Sequence, residues 1–324
     1  MTKYELIIVG CGIAGATAAI YASRLKVNFL VLTRDLGGQI NLTDCIDNYP
    51  TIKNISGSEF VKRLYEHLLY LKVPIVFEKV DKIEDNSGFY CIRTNSSTYK
   101  AKTVIIATGK APKKLNVTGE QKFEGRGVSY CAVCDAPLYK DKIVAVVGGG
   151  NSALEAALLL SKYARKVYLI HRRDSFRGFL SLVEKVSKVG NIEIVYNHVI
   201  KEIKGSKHVE KIIIEEVRMK NNNAEFTGNL SEIPVDGVFI KIGYIIDHKP
   251  FKDFVKLDEH NQIVIDNLCR TYKPNGNETK PGVFAAGDVT NTPFKQLVIA
   301  AGEGAKAALQ AYEYLKGKKT LAWH

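Results

Sequence analysis

Leu6-Ile7-Ile8-Val9-Gly10-Cys11-Gly12-Ile13-Ala14-Gly15 opens the chain, and Val144-Ala145-Val146-Val147-Gly148-Gly149-Gly150-Asn151-Ser152-Ala153 repeats its design near the middle. In each stretch a continuous apolar run meets a glycine-rich turn, and a helix-forming segment follows. Glycines at such a turn let the backbone close tightly and approach a ligand, while the amides at the helix start favour an anion such as a pyrophosphate. A lone GxGxxG is weak, but one that follows a strand and opens a helix is a nucleotide-binding signal. In the second stretch Ala153 replaces the third glycine, a variant that dinucleotide folds tolerate.

The repeat extends outward from the two loops. Apolar runs at 5–9 and 28–32 flank helical periodicity at 14–25, and the strand at 143–147 is followed by a helix to about 162 and a strand at 166–170. As many residues separate Gly10 from Thr33 as separate Gly148 from His171. That register matters because the end of the second strand meets the adenosine ribose in these folds. Thr33 stands there in the first unit in place of the usual acid. In the second, His171-Arg172-Arg173 and nearby Arg177 stand there instead. Guanidinium forks suit a phosphate, so the second loop is expected to take NADPH rather than NADH.

Cys131-Ala132-Val133-Cys134-Asp135 lies between the loops, shortly before the second. The chain has 6 cysteines, and these two alone are close in sequence. No second CxxC or histidine pair completes a zinc site, so no metal is expected. Cys11, Cys45, Cys91 and Cys269 read as small buried hydrophobes. A lone CxxC in a reducing compartment points to redox chemistry. Two dinucleotide loops with a dithiol between them suggest electrons passing from a nicotinamide to a flavin and on to a disulfide.

At 324 residues, with 46% hydrophobic and 25% charged residues, the chain is of ordinary globular composition and long enough for two domains. No apolar run approaches the roughly 18 residues of a membrane span, and the start lacks the features of a signal peptide, so a cytoplasmic location is expected. The net charge of +12 is scattered apart from the tail at 316–319. It carries no recognisable nucleic-acid module and fits a solvated surface or the steering of anionic nucleotides. Elsewhere Ser56 and Glu59 have capping-box spacing before a helix to about 71. Polar stretches at 110–120 and 243–250 read as connections between domains.

Taken together these motifs resemble the low-molecular-weight thioredoxin reductases of the flavoprotein disulfide reductase superfamily. The resemblance covers nearly the whole chain. It is carried by the two loops, Gly37-Gly38-Gln39, Asn48-Tyr49-Pro50, Ala107-Thr108-Gly109, the cysteine pair with Asp135, His171 to Arg177, Gly282 to Asp288, and Lys295-Gln296. It departs from the common pattern at Ala136, where many members have Gly, and at Lys295, where many have Arg. The redox pair lies before the second loop rather than after the first, and the chain ends early, which separates it from glutathione-reductase-like enzymes.

The resemblance implies an α/β architecture of two three-layer dinucleotide-binding, Rossmann-like domains. The FAD domain is discontinuous, from 1–113 and 247–324, with the NADPH domain inserted at 114–246. FAD contacts are implied for Gly10, Gly12, Ile13, Ala14, Gly15, Thr33, Gly37, Gly38, Gln39, Asn48, Ala107, Thr108, Gly109, Gly287, Asp288, Lys295 and Gln296. Asp288 would bind the ribityl chain, Gln296 would lie beside the isoalloxazine, and a strand ending near Val80 would meet the adenine through its backbone. NADPH contacts are implied for Gly148, Gly150, Asn151, Ser152, Ala153, His171, Arg172, Arg173 and Arg177. Cys134 would face the flavin, Cys131 would attack the external disulfide, and Asp135 would handle protons. The partner would be thioredoxin, or a thioredoxin-fold or glutaredoxin-like protein disulfide, and the enzyme a homodimer. Because nicotinamide and dithiol share one domain, that domain would rotate about residues 113–120 and 243–250. A ferredoxin–NADP reductase, a small-molecule dithiol oxidase and a nucleotide-binding redox sensor remain as alternatives at this point.

Overall fold

The computed structural model describes residues 3–43, 46–220 and 223–317. A parallel sheet is ordered Arg270–Tyr272, Thr279–Ala285, Thr98–Ile106, Lys3–Cys11, Phe29–Leu36 and Ile75–Phe77, with its first strand antiparallel. The hairpin Val80–Asn86 and Phe89–Thr94 joins it through Thr98–Ile106. The first strand has both faces covered, as an unbroken apolar run requires. Leu6 and Ile8 pack with alanines of the helices Ile13–Arg24 and Leu297–Lys316. Ile7 and Val9 pack on the other face with Ile83, Ile92 and Phe251. The two helices approach so closely that a Cβ on Gly304 would lie 2.1 Å from the Ala14 carbonyl oxygen.

The second unit repeats this layering. Its parallel sheet runs Ile192–Tyr196, Lys166–His171, Ile143–Val147, Gly237–Ile240, Val128–Ser129. Val144 and Val146 pack against the helix Asn151–Leu160. Ala145 and Val147 pack against Ile200, Ile203, Ile212 and Ile214, all from a three-stranded antiparallel sheet formed by His198–Gly205, Val209–Lys220 and Asn223–Pro234. The α/β class and the doubled three-layer plan are as expected. The chain crosses between the units twice, and the crossings pair in a two-stranded antiparallel ribbon, Ala111–Pro112 with Tyr244–Ile245.

Three local expectations need correction. The second strand of the first unit runs on to Leu36, so Thr33 lies inside it rather than at its end. Its pairing with the first strand shifts register after Val9, which lets the strand continue past the turn. Val80 begins a strand and does not end one, because the preceding strand stops at Phe77. The helix at 57–70 does start at Ser56, whose Oγ accepts the Glu59 amide at 3.1 Å. The Glu59 side chain, however, turns to Arg63 at 2.8 Å instead of completing the capping box. Cys11, Cys91 and Cys269 are buried, and Cys45 lies outside the described residues.

Candidate active site

The first glycine turn is shaped by what it cannot hold. A Cβ on Gly10 (φ +101°) would lie 2.4 Å from the Ala107 carbonyl oxygen, and one on Gly15 would lie 1.9 Å from that of Gly10. Those contacts press the helix against two strand ends. Gly12 and Gly38 differ: a Cβ on Gly12 would meet nothing nearer than 3.9 Å, and one on Gly38 nothing within 4 Å. Both open onto a cavity of about 510 Å³, within the range of sites for a cofactor-sized ligand.

Every residue proposed above for the flavin side lines this cavity except Gly15, which lies behind the turn. Arg34, Asp35, Lys110 and Tyr244 line it as well. The Thr33 hydroxyl donates to the Asp35 carbonyl at 2.6 Å, and Arg34, Asp35, Glu78 and Lys79 line that end as well. Gln39 Nε2 donates to Asp288 Oδ2 at 3.1 Å, and Asn48 Nδ2 donates to Gln296 Oε1 at 3.3 Å. Lys295 Nζ donates to the Thr290 carbonyl at 2.5 Å, and burial lowers its pKa.

Glu303 was not visible as a site residue. It is buried, and its Oε2 accepts the Gly287 amide at 2.6 Å while Oε1 accepts the Thr292 hydroxyl. It thereby holds the Gly287–Asp288 turn, where Gly287 has φ +79°. Its signal was an acid on the small-residue face formed by Ala300, Gly304 and Ala307.

Cys131 and Cys134 form a disulfide, with Cα atoms 5.3 Å apart, and both are half-buried in the wall of the same cavity. Cys131 caps the short helix Ala132–Asp135, its Sγ accepting the Cys134 amide at 3.2 Å. Asp135 is fully buried and accepts from Ser129 Oγ at 2.6 Å; the same oxygen accepts the Cys131 amide at 3.1 Å. The acid is therefore linked through Ser129 to the backbone of Cys131.

Tyr130 ties this turn to both crossings. Its hydroxyl donates to Glu120 at 2.9 Å, and its carbonyl accepts Lys241 Nζ at 3.0 Å and the Tyr244 hydroxyl at 3.4 Å. Lys110 Nζ lies 3.8 Å from the centre of the Tyr244 ring and 3.9 Å from Asp288. Burial, and then the like charge of Lys110, push Lys241 down to about 8. Burial lowers Lys110 too. A lysine directly after a buried apolar strand, as in Ile240-Lys241, was the available clue.

The second glycine turn borders a different surface; among the described residues, none from 148 to 177 lines the cavity. A Cβ on Gly148 would lie 2.9 Å from Ala153 Cβ, which explains the small residue there. A Cβ on Gly149 would strike the His171 ring at 2.1 Å, whereas Gly150 faces open space. Asn151 Oδ1 accepts the Phe179 amide at 2.8 Å, and the Arg177 amide donates to the Gly149 carbonyl at 2.8 Å. The Arg177 segment is thus folded onto the loop. Arg172, Arg177 and Ser152 are exposed and Arg173 is half-buried. His171 stacks on Phe176, and its pKa is lowered by burial and by the three arginines.

The two glycine turns, each with open backbone at its centre, and the disulfide in the first cavity define a two-nucleotide dithiol oxidoreductase. The chain belongs to the pyridine nucleotide-disulphide oxidoreductase family, whose profile matches residues 4–304. Within it the likeness is to thioredoxin reductases. That of Peptoclostridium acidaminophilum is 37% identical, covering 97% of each chain. The crystal structure of thioredoxin reductase from Streptococcus pyogenes superposes with a TM-score of 0.88 at 37% identity, covering 97% of this chain and 99% of that one. The Lactococcus lactis enzyme, described as in the FR conformation, has a TM-score of 0.64 at 36% identity and the same coverage. No described helix is long and apolar enough to cross a membrane.

Proposed function

We propose that this chain is an NADPH-dependent thioredoxin-disulfide reductase that uses FAD and the Cys131–Cys134 disulfide. The observation that carries this reading is the redox pair in the wall of the cavity onto which Gly12 and Gly38 open. When bound there, FAD supplies a two-electron carrier between nicotinamide and disulfide. The open backbone at Gly12, the Asp288 carboxylate and the amide side chains of Gln39 and Asn48 suit its pyrophosphate, ribityl and ring portions. Gly150, Asn151, Ser152 and the three arginines would hold NADPH, with the 2′-phosphate on the guanidinium groups.

Cys134 is assigned the flavin-facing sulfur and Cys131 the sulfur that attacks the partner disulfide. Asp135 would exchange protons with the dithiol, while Ser129 ties it to the Cys131 backbone. In exchange, the Cys131 thiolate forms a bond to one partner sulfur and the other leaves as a thiolate. Cys134 then closes the original disulfide and releases the reduced partner. Thioredoxin or a thioredoxin-fold, glutaredoxin-like disulfide is the proposed partner, a homodimer the proposed assembly and the cytoplasm the proposed location.

Residues 114–246 would form the NADPH unit and 1–113 with 247–324 the FAD unit. Since the second glycine turn does not border the cavity, hydride delivery requires the NADPH unit to turn. Supporting this, two relatives of nearly equal identity and coverage superpose very differently, at 0.88 and 0.64. The test is steady-state NADPH oxidation by the purified protein against a panel of partner disulfides. Sustained turnover with a thioredoxin-fold protein is expected. A stop after one equivalent of electrons would indicate a sensor, and turnover sustained by oxygen alone an oxidase.

A further inference from the structure

Lys241 sits between the second glycine turn and the redox pair. Its amide donates to the Val147 carbonyl at 2.8 Å, and a Cβ on Gly148 would come within 2.3 Å of its own carbonyl oxygen. The backbone is therefore pinned beside the nucleotide loop, while Nζ reaches the Tyr130 carbonyl at 3.0 Å. That carbonyl belongs to the peptide bond that enters Cys131. Among the described residues no carboxylate pairs with this ammonium; Glu155 favours its charge from a distance, and Lys110 opposes it. A desolvated cation without a close counter-charge is costly. Here it stands one peptide unit from a site that gains a negative charge each time the disulfide is reduced.

We propose that Lys241 is a positioning residue for the redox pair, anchoring the Cys131 end of the turn and supplying the counter-charge for the thiolate formed there. This rests on the reading of Cys131–Cys134 as the exchanging pair. Overall, NADPH gives up a hydride, two electrons and one proton, and becomes NADP⁺. The Sγ–Sγ bond breaks, one sulfur keeps the proton as a thiol and the other remains a thiolate. A nearby cation favours the thiolate, which is the species that attacks an external disulfide. Lys241 and Tyr130 both lie within 114–246, so their contact travels with the pair when that segment turns. Lys110 lies outside the segment.

The experiment uses the full-length Cys134→Ser protein as purified, in which Cys131 is a free thiol. Its alkylation by iodoacetamide is followed against pH by peptide mass spectrometry. Adding Lys241→Met should move the profile up by roughly one pH unit and slow alkylation at pH 7 about tenfold. Lys241→Arg should restore the parental profile. Lys241→Gln keeps a donor for the Tyr130 carbonyl without charge; it should shift like the Met variant, and it carries the test if that variant does not fold. Profiles of the Met or Gln variant coincident with the parent would overturn the proposal. The readout needs neither NADPH nor a partner, so it separates this outcome from a failure of the reductase reading, which shows as absent turnover in the unaltered chain.

Discussion

Replacing Glu120 with alanine should loosen the first crossing between the two units by about 2–6 kcal/mol. Glu120 is 2% exposed, and its carboxylate accepts three donors, the Leu115 amide at 3.0 Å, the Asn116 amide at 2.7 Å and the Tyr130 hydroxyl at 2.9 Å. Asn116 is exposed, so water can satisfy its amide. The half-buried Leu115 amide and the buried Tyr130 hydroxyl are less easily rehydrated, and an unsatisfied buried donor costs about 1–3 kcal/mol. The strap cannot readily relax to find other partners. Asn116 already holds φ +58°, and a Cβ on Gly119 would lie 1.9 Å from the Ile203 carbonyl oxygen. Tyr130→Phe removes one donor and leaves both amides paired, so its cost should be the smaller, about 1.5–3 kcal/mol for a bond to a charged group. Amide hydrogen exchange at Leu115 and Asn116 reads this locally. At tenfold per 1.4 kcal/mol, the alanine variant should lose about 30-fold or more of its protection. Protection within about threefold of the parent would show that Glu120 does not hold the strap.

Asp288→Ala should weaken FAD retention by about 1–3 kcal/mol, measured as the flavin lost on dilution, because it removes an acceptor from a largely enclosed site. Neutralising Arg172, Arg173 and Arg177 together should raise the KM for NADPH strongly and leave NADH use similar or improved. An unchanged ratio of kcat/KM for the two coenzymes would place 2′-phosphate recognition elsewhere. Cys131→Ser should develop a long-wavelength charge-transfer band as Cys134 lies against oxidised flavin, while Cys134→Ser should trap a mixed disulfide with a partner lacking its own resolving cysteine. The reverse pattern would exchange the two roles. Burial lowers the pKa of His171 in the folded chain, whereas in the unfolded chain it titrates at about 6.5. The unfolded state therefore binds the extra proton first, and stability should fall as pH drops below about 6.5. His171→Phe should flatten that limb in denaturant titrations over pH 5–8 (roughly the histidine range).

The doubled plan was legible because it is written locally: an apolar strand, a glycine turn and a helix start occupy consecutive residues and recur in register. The cysteine pair was legible for the same reason. What escaped was set by contacts between distant segments. Glu303 holds the Gly287 amide from the far end of the chain, and Lys241 meets Tyr130 from the end of the neighbouring strand, 111 residues further along the sequence. Thr33 falls at the ribose position by spacing and lines the cavity, but that its hydroxyl turns to the Asp35 carbonyl depends on the strand running on to Leu36. The resemblance puts a strand end near Val80, and the break after Phe77 has no glycine or proline to mark it. Two-residue strands such as Ala111–Pro112 carry no period that a sequence can show.

The ribbon that pairs Ala111–Pro112 with Tyr244–Ile245 has a mechanical consequence. A body hung from one flexible thread swings through a cone. Two threads laid side by side and cross-bonded behave as a strip, which resists shear and splaying yet yields in torsion. The strip here is only two residues wide on each side, and Lys110 stacked on Tyr244 stiffens one edge. If the cysteine turn leaves the cavity, such a strip would leave it nearly a single degree of freedom, a twist about the strip's long axis, and the path would be set by the joint rather than by the surfaces that part.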